Sequence, residues 1–410
     1  MRKLLFFTII LFSIINLLLG QTDTITRNNT HMRQGPGCFY PVIMVLNKGA
    51  EIDILDRYEL WLQIECIDTN GWISNNALAG PEQETDFFSE EFADKDNQYI
   101  SQASVSAAVR GFAQKYLSGV NGDASFLDRY DDRIIDPQNY KKFKNETYRN
   151  RNHRRIRRRF RKWNSFKARE DFHITDYLEK TGLAVSARIA RQGLIEDTQL
   201  LTYINNLGTL ITEHSELYYY PVKFYITQDN KPAAYATPIG MIFITKGLLD
   251  LVENEAELAG LLGHELSHVV HKHGYKEIKK RRPRIVAQKA FSDLDEEIPG
   301  TDSTAIELSM LANKMYEAAT AKRQLKYEYQ ADKCGAVYAY RAGYDPEALL
   351  ELLQRIKEKD ETNFENFESN WEAYYIKDRI NRLKNFIEEE LDRNKELNVR
   401  NKYRFTKYIK

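Results

Sequence analysis

The run NEAELAGLLGHELSHVVHKHG, residues 254–274, constrains this chain more than any other stretch. Ala256, Leu258, Leu261, Leu262, Leu266 and Val269 recur at helical spacing, so the segment reads as a buried amphipathic helix. His264 and His268 are four apart and therefore one turn apart on one face, where two imidazoles can meet one metal ion. Glu265 cannot share that direction, but it can reach a water at an open coordination position. With eight His in 410 residues, a chance match to this pattern is roughly a one-in-a-hundred event, and rarer on an apolar helix. The bland alternative is a pair of helix histidines used for packing.

Two ligands do not hold a metal tightly, so a third must come from elsewhere. A His ten residues beyond His264 would extend the motif, but that position is Gly274. His271 and His273 are offset from the pair and read as surface or helix-end residues, with His273 left open as an assistant to the site. The stretch 326–332, KYEYQAD, offers Glu328 and Asp332, again four apart. One such carboxylate can bind a metal while the other accepts the outer N–H of a ligating His. Two acidic residues on a helix are usually surface groups, but the flank Ala331, Cys334, Gly335, Ala336 and Val337 argues for burial.

The rest of the chain sorts into segments. Residues 1–20 pair Arg2 and Lys3 with the apolar run Leu4–Leu19, the pattern of an export signal, cleaved or retained as an anchor. No later segment is apolar enough to span a bilayer. Residues 25–80 alternate in short strand-like runs separated by turn signals at 35–37, 47–49 and 69–71, an all-β unit. Cys38 and Cys66 fall inside it, as a disulfide or as two free thiols. Cys334 reads as a core residue, and no C-x-x-C pair suggests a thiolate metal site. Residues 81–169 read as a linker with an amphipathic helix near 101–118 and a basic stretch, Lys141–Lys162. That stretch is either a solvated face or a surface for anionic headgroups, wall polymers or an acidic partner; nucleic acid is not expected of an exported chain. Lys+Arg and Asp+Glu both total 59, so net charge itself points to no partner.

Residues 170–400 read as one α-rich α+β domain. Helices are expected near 173–191, 197–214, 247–273, 304–342, 346–358 and 372–393, with strands at 221–227 and 241–245. Residues 275–303 read as a segment able to gate the site, or as a plain surface excursion.

Two resemblances add to this reading. Residues 31–37, Tyr40–Ile43, Leu46–Gly49, Trp61 and Gly71–Ser74 together resemble a bacterial SH3 domain, a small barrel that in many proteins binds cell-wall or peptide ligands and in others is a spacer. The segments 234–248, 254–259, 264–268, Glu328 with Asp332, and 342–346 together resemble the M48 family of zinc peptidases, in its soluble exported branch. That resemblance implies a zincin-type domain with one Zn2+ on His264, His268 and Glu328, and Asp332 behind a ligand. It also implies Glu265 as the base, and the strand with Gly240, Met241, Ile242 and Phe243 beside the cleft, where an extended substrate could add. One departure stands out. Members carry a His-Pro pair before an Arg-Ile pair in the last conserved helix, and that His is thought to steady the oxyanion. Here Arg379-Ile380 follows SNWEAYY, with no His or Pro. Tyr374 or Tyr375 could donate instead, with Asn370 a weaker candidate. The expected activity is zinc-dependent cleavage of peptide bonds in protein substrates of the bacterial envelope, including misfolded ones. The competing reading is a weakly active or inactive envelope scaffold or chaperone.

Overall fold

The computed structural model describes residues 21–28, 30–78, 126, 135–149, 176–274, 276, 316–317, 324–363, 371–391 and 399–409. The chain divides into two compact units, Met1–Thr85 and Asp86–Lys410. The export signal, the helix expected near 101–118 and the gating segment 275–303, apart from Lys276, lie outside the described residues, as does the basic stretch beyond residue 149.

The first unit is β-rich. Its strands are β1 (Gln21–Thr24), β2 (Thr30–Arg33), β3 (Val42–Leu46), β4 (Glu51–Tyr58), β5 (Trp61–Cys66) and β6 (Thr69–Ser74). They form one antiparallel sheet in the order β1-β4-β5-β6-β2-β3. Period-two alternation decides which side chains turn inward: Ile52 and Ile54 of β4 are buried while Glu51 and Asp53 are exposed. They join Met32, Leu46, Leu62, Ile64 and Ile73 in the core. The turn expected at 69–71 falls two residues earlier. Ile67 and Asp68 both take positive φ, as a two-residue hairpin requires, and Thr69–Gly71 belong to β6. Gly71 answers to packing instead, since a Cβ there would lie 2.5 Å from Met32 Cγ. Cys38 and Cys66 are separate buried thiols.

The second unit begins, among the described elements, with α1 (Pro137–Tyr148), a helix placed where only a linker was expected. The signal was present: Asp136 caps it by accepting from Asn139 N, and Pro137 sits in the first turn. Next come α2 (Asp176–Ala190) and α3 (Thr198–Glu213), then a three-stranded sheet of β7 (Lys223–Thr227), β8 (Ala234–Ala236) and β9 (Met241–Thr245). Asn205 of α3 grips β7 by exchanging hydrogen bonds with Phe224 N and O, at 2.9 and 2.8 Å.

The single helix expected over 247–273 is two. Short α4 (Lys246–Leu249) is followed by α5 (Glu255–Val270), which Asn254 caps through Glu257 N. The described part of the helix expected over 304–342 is α6 (Leu325–Arg341). Then come α7 (Glu347–Asn363), α8 (Trp371–Glu390) and a final helix, α9 (Lys402–Ile409), which the sequence reading placed beyond the domain. Arg404 of α9 ion-pairs with buried Glu255, so α9 closes over the start of α5.

β9 is the central strand, paired parallel to β7 and antiparallel to β8. Both of its hydrogen-bonding edges are taken, and Met241, Ile242 and Phe243 are buried. The expected addition of a substrate strand at Gly240–Phe243 therefore has no edge to use there. The end of this sheet nearest α5 is β8.

Candidate metal centre

α5 and α6 cross at glycines. A Cβ on Gly335 would lie 2.8 Å from both Gly260 O and His264 N, and one on Gly263 would lie 3.1 Å from Gly335 Cα. Without side chains at these positions the two backbones touch. The contact sets the first turn of α6 against the histidine face of α5.

That crossing brings three groups together. His264 Nε2 lies 3.2 Å from His268 Nε2 and 3.5 Å from one oxygen of Glu328; His268 Nε2 lies 3.6 Å from the other. The three donor atoms form a cluster able to hold a metal ion. Donors placed tetrahedrally about 2.1 Å from an ion stand about 3.3–3.4 Å from each other; the two imidazole nitrogens are 3.2 Å apart and each has a Glu328 oxygen, a different one, at 3.5 or 3.6 Å. Two imidazole nitrogens and a carboxylate are also a donor set suited to zinc. Glu265 comes next in chain order, buried, with Oε1 3.9 Å from His264 Nε2.

Behind the donors sits Arg379 of α8. Its Nε and Nη2 reach the two oxygens of Asp332 at 2.8 and 2.7 Å, and Nη1 stands 3.1 Å from Glu328. Burial alone would favour the neutral form of both acids. The guanidinium outweighs it and, with help from His264, holds the Glu328 carboxyl well below its usual range and lowers Asp332. An ionised, oriented carboxylate is what a cation requires. Asp332 in turn lies 2.9 Å from His264 Nδ1, a hydrogen-bonding distance without full hydrogen-bond alignment. In the sequence Arg379 stands out only as half of an Arg-Ile pair. Its role needs α8 folded onto α6, which no local spacing reveals.

Of the two places expected for His271 and His273, surface or helix end, the structure shows the helix end: both are buried there, His271 as the C-cap of α5. His271 bonds back to Ser267 on its own helix. His273 returns to the centre, with Nδ1 2.9 Å from His268 Nδ1. Tyr375 is half-buried on α8, four residues before Arg379 and so on the same face. The side chain of Tyr374 lies outside the described ones. Gly240–Phe243 belong to the sheet core, as described above.

Residues 202–391 match the model of peptidase family M48. The beta-barrel assembly-enhancing protease of Yersinia pestis is 26% identical over 168 residues, 40% of this chain and 34% of that protein. Its counterpart in Escherichia coli K12 is 25% identical over 167 residues, with the same coverage. Metalloprotease YcaL of Escherichia coli K12 is 27% identical over 167 residues, 39% of this chain and 63% of that protein. The matched segment thus spans about a third of the two assembly-enhancing proteases.

Proposed function

We propose that the M48-family domain carried by this chain is a zinc-dependent endopeptidase, with His264, His268 and Glu328 as metal ligands and Glu265 as the general base. The observation that carries this reading is the triangle of donor atoms, backed by Asp332 and Arg379, with a buried carboxylate beside it.

A zinc ion bound there would supply Lewis acidity toward a peptide carbonyl and acidify a bound water. Glu265 takes the proton of the attacking water and hands it to the leaving amine, so no covalent enzyme intermediate is needed. Asp332 orients His264, and Arg379 keeps Glu328 anionic. Tyr375 and Tyr374 are the candidates for steadying the developing oxyanion, in place of the His that family members carry. An extended substrate would pair on β8, the end of the three-stranded sheet that packs on α5. The names of the relatives and the apolar N-terminus support a protein substrate in the bacterial envelope. The β-rich unit, read as an SH3-like module, would hold the enzyme near wall or protein partners. No described helix is long and apolar enough to cross a membrane.

The second reading, a scaffold without activity, draws on the missing His-Pro pair. It leaves Glu265 unexplained, because a binding protein has no use for a buried base beside three converging donors. The deciding experiment quantifies zinc in the purified chain and in Glu265→Gln, and assays both on unfolded casein. About one zinc per chain in each, with cleavage only by the wild type, is expected. Zinc in both with cleavage by neither favours the scaffold, and zinc in neither removes the metal site.

A further inference from the structure

The two ligating histidines are backed by different chemistry. His264 has the carboxylate of Asp332 at its outer nitrogen; His268 has another imidazole, that of His273. Resting on the metal-site reading above, we propose that His273, itself oriented by Gln330, is the positioning residue that fixes the tautomer and ring angle of His268.

The chain makes a specific detour to put His273 there. α5 ends at Val270 with His271 as its C-cap, and Lys272 takes φ +50°, the left-handed conformation that reverses a chain after a helix. Glycine or asparagine usually occupies such a position, so a lysine there accepts a conformational cost. The reversal folds His273 back under the helix end, where only 1% of it is exposed. Its ring stacks on Tyr327 at 4.4 Å between centroids and 19° between planes. Its Nε2 lies 3.1 Å from Gln330 Oε1. Tyr327 and Gln330 flank Glu328 on α6, so the helix that offers the third ligand also holds the support of the second.

The hydrogen positions follow from the donors and acceptors. An amide oxygen only accepts, so His273 Nε2 carries the hydrogen it shares with Gln330. A neutral imidazole then has its lone pair on Nδ1, which accepts from His268 Nδ1–H at 2.9 Å. His268 is left with its lone pair on Nε2, the atom that faces His264 and Glu328. Reversing the Gln330 amide would reverse every step and leave a hydrogen on His268 Nε2, aimed at the position a metal must take. One half-buried amide on α6 therefore selects the metal-binding form of a histidine two links away. Outer partners of ligating histidines change metal affinity by about 10–100-fold when removed. A neutral imidazole is a weaker acceptor than a carboxylate, so the low end of that range is expected here.

The test is competition for zinc between a chelator and the purified full chain, alongside thermal melting of the metal-free protein. His273→Ala should bind zinc about tenfold more weakly. His273→Asn puts an amide oxygen near the position of Nδ1 and should stay within about threefold of the wild type. Gln330→Leu, at a half-buried position, should fall between, and Gln330→Glu should bind at least as tightly as the wild type. His273→Ala and His273→Asn both leave space beneath Tyr327 and should melt at similarly lowered temperatures without metal, so a difference in zinc affinity between them reports the acceptor at Nδ1, which a purely structural role of His273 would not give. Wild-type affinity in His273→Ala, or equal losses in the Ala and Asn variants, overturns the relay while the metal site stands. A wild type that binds no zinc overturns the metal site itself and the relay with it.

Discussion

α5 carries two buried glutamates in different surroundings, Glu255 at its first residue and Glu265 beside the candidate metal ligands. At the first turn Glu255 is fully enclosed. It accepts from Tyr203 Oη at 2.9 Å, Tyr344 Oη at 2.8 Å, Asn401 Nδ2 at 2.7 Å, and the guanidinium of Arg404. Those donors come from α3, from the turn after α6 and from the C-terminal segment, so one carboxylate ties four parts of the chain together. Ten residues later Glu265 is nearly as buried, but it lies beside two imidazoles and a second carboxylate, whose own partners are Asp332, His273 and Arg379. Donors that surround a buried charge hold a fold. Partners that orient a set of ligands prepare them for a metal.

Two substitutions sharpen that contrast most. Glu265→Gln should cut peptide cleavage by about 10³–10⁴-fold, roughly 4–5 kcal/mol of barrier, with zinc content and melting temperature unchanged. Glu255→Ala should do the reverse. It removes one partner of a buried ion pair and strands Arg404, at a cost of about 3–5 kcal/mol of stability read by urea denaturation, while the molecules that remain folded keep their zinc. If Glu255→Ala lost zinc from folded protein, the division of labour between the two glutamates would be wrong.

These two glutamates also show what a sequence can reveal. Glu265 was legible because its partners are set by helical spacing: HELSH fixes two imidazoles and a carboxylate within one turn and a half. Glu328 and Asp332 were legible for the same reason, as a pair on one helix face. Glu255 is the first residue of the same helix, and nothing local marks it, because its donors are 52 to 149 residues away. Arg379 was hidden in the same way. The place of His273 beside His268 was hidden for a different cause. Projected along an ideal helix it points away from the pair, but the helix stops at Val270 and the left-handed Lys272 carries it back. Periodicity extrapolates an element past its end. That β9 has no free edge was hidden because residues suited to strands mark it as β, not as central or edge, and pairing order is a property of the whole sheet.

The metal site has its own support, and Asp332→Asn probes it. The substitution is nearly isosteric and keeps an acceptor for His264, but it removes the charge that Arg379 grips in two places. Zinc affinity should fall by about 10–100-fold, roughly 1.4–2.8 kcal/mol, with Glu255 and its donors undisturbed. Isothermal titration of the metal-free protein would measure it. An affinity equal to the wild type would mean that His264 needs only an acceptor behind it, not a charged one.

The smallest expected effect comes from Gly335→Ala, which bears on both sites because Gly335 packs midway along α5. The added methyl would meet Gly260 O and His264 N at 2.8 Å, and both are backbone atoms that cannot rotate away as a side-chain tip could. Relief requires α5 and α6 to separate by a few tenths of an ångström, an overpacking cost of about 1–2 kcal/mol. The separation acts unequally. All of the donors to Glu255 lie on segments other than α6, so that network can follow α5 as it shifts. The metal triangle cannot, because His264 and His268 stand on one helix and Glu328 on the other. Zinc affinity should therefore drop severalfold in a protein whose loss of stability is modest, and a second alanine at Gly263, whose Cβ would lie 3.1 Å from Gly335 Cα, should add to both. Lower stability with zinc affinity intact would show that the glycine crossing serves the fold alone, and that the ligands find their spacing through side-chain freedom instead of backbone contact.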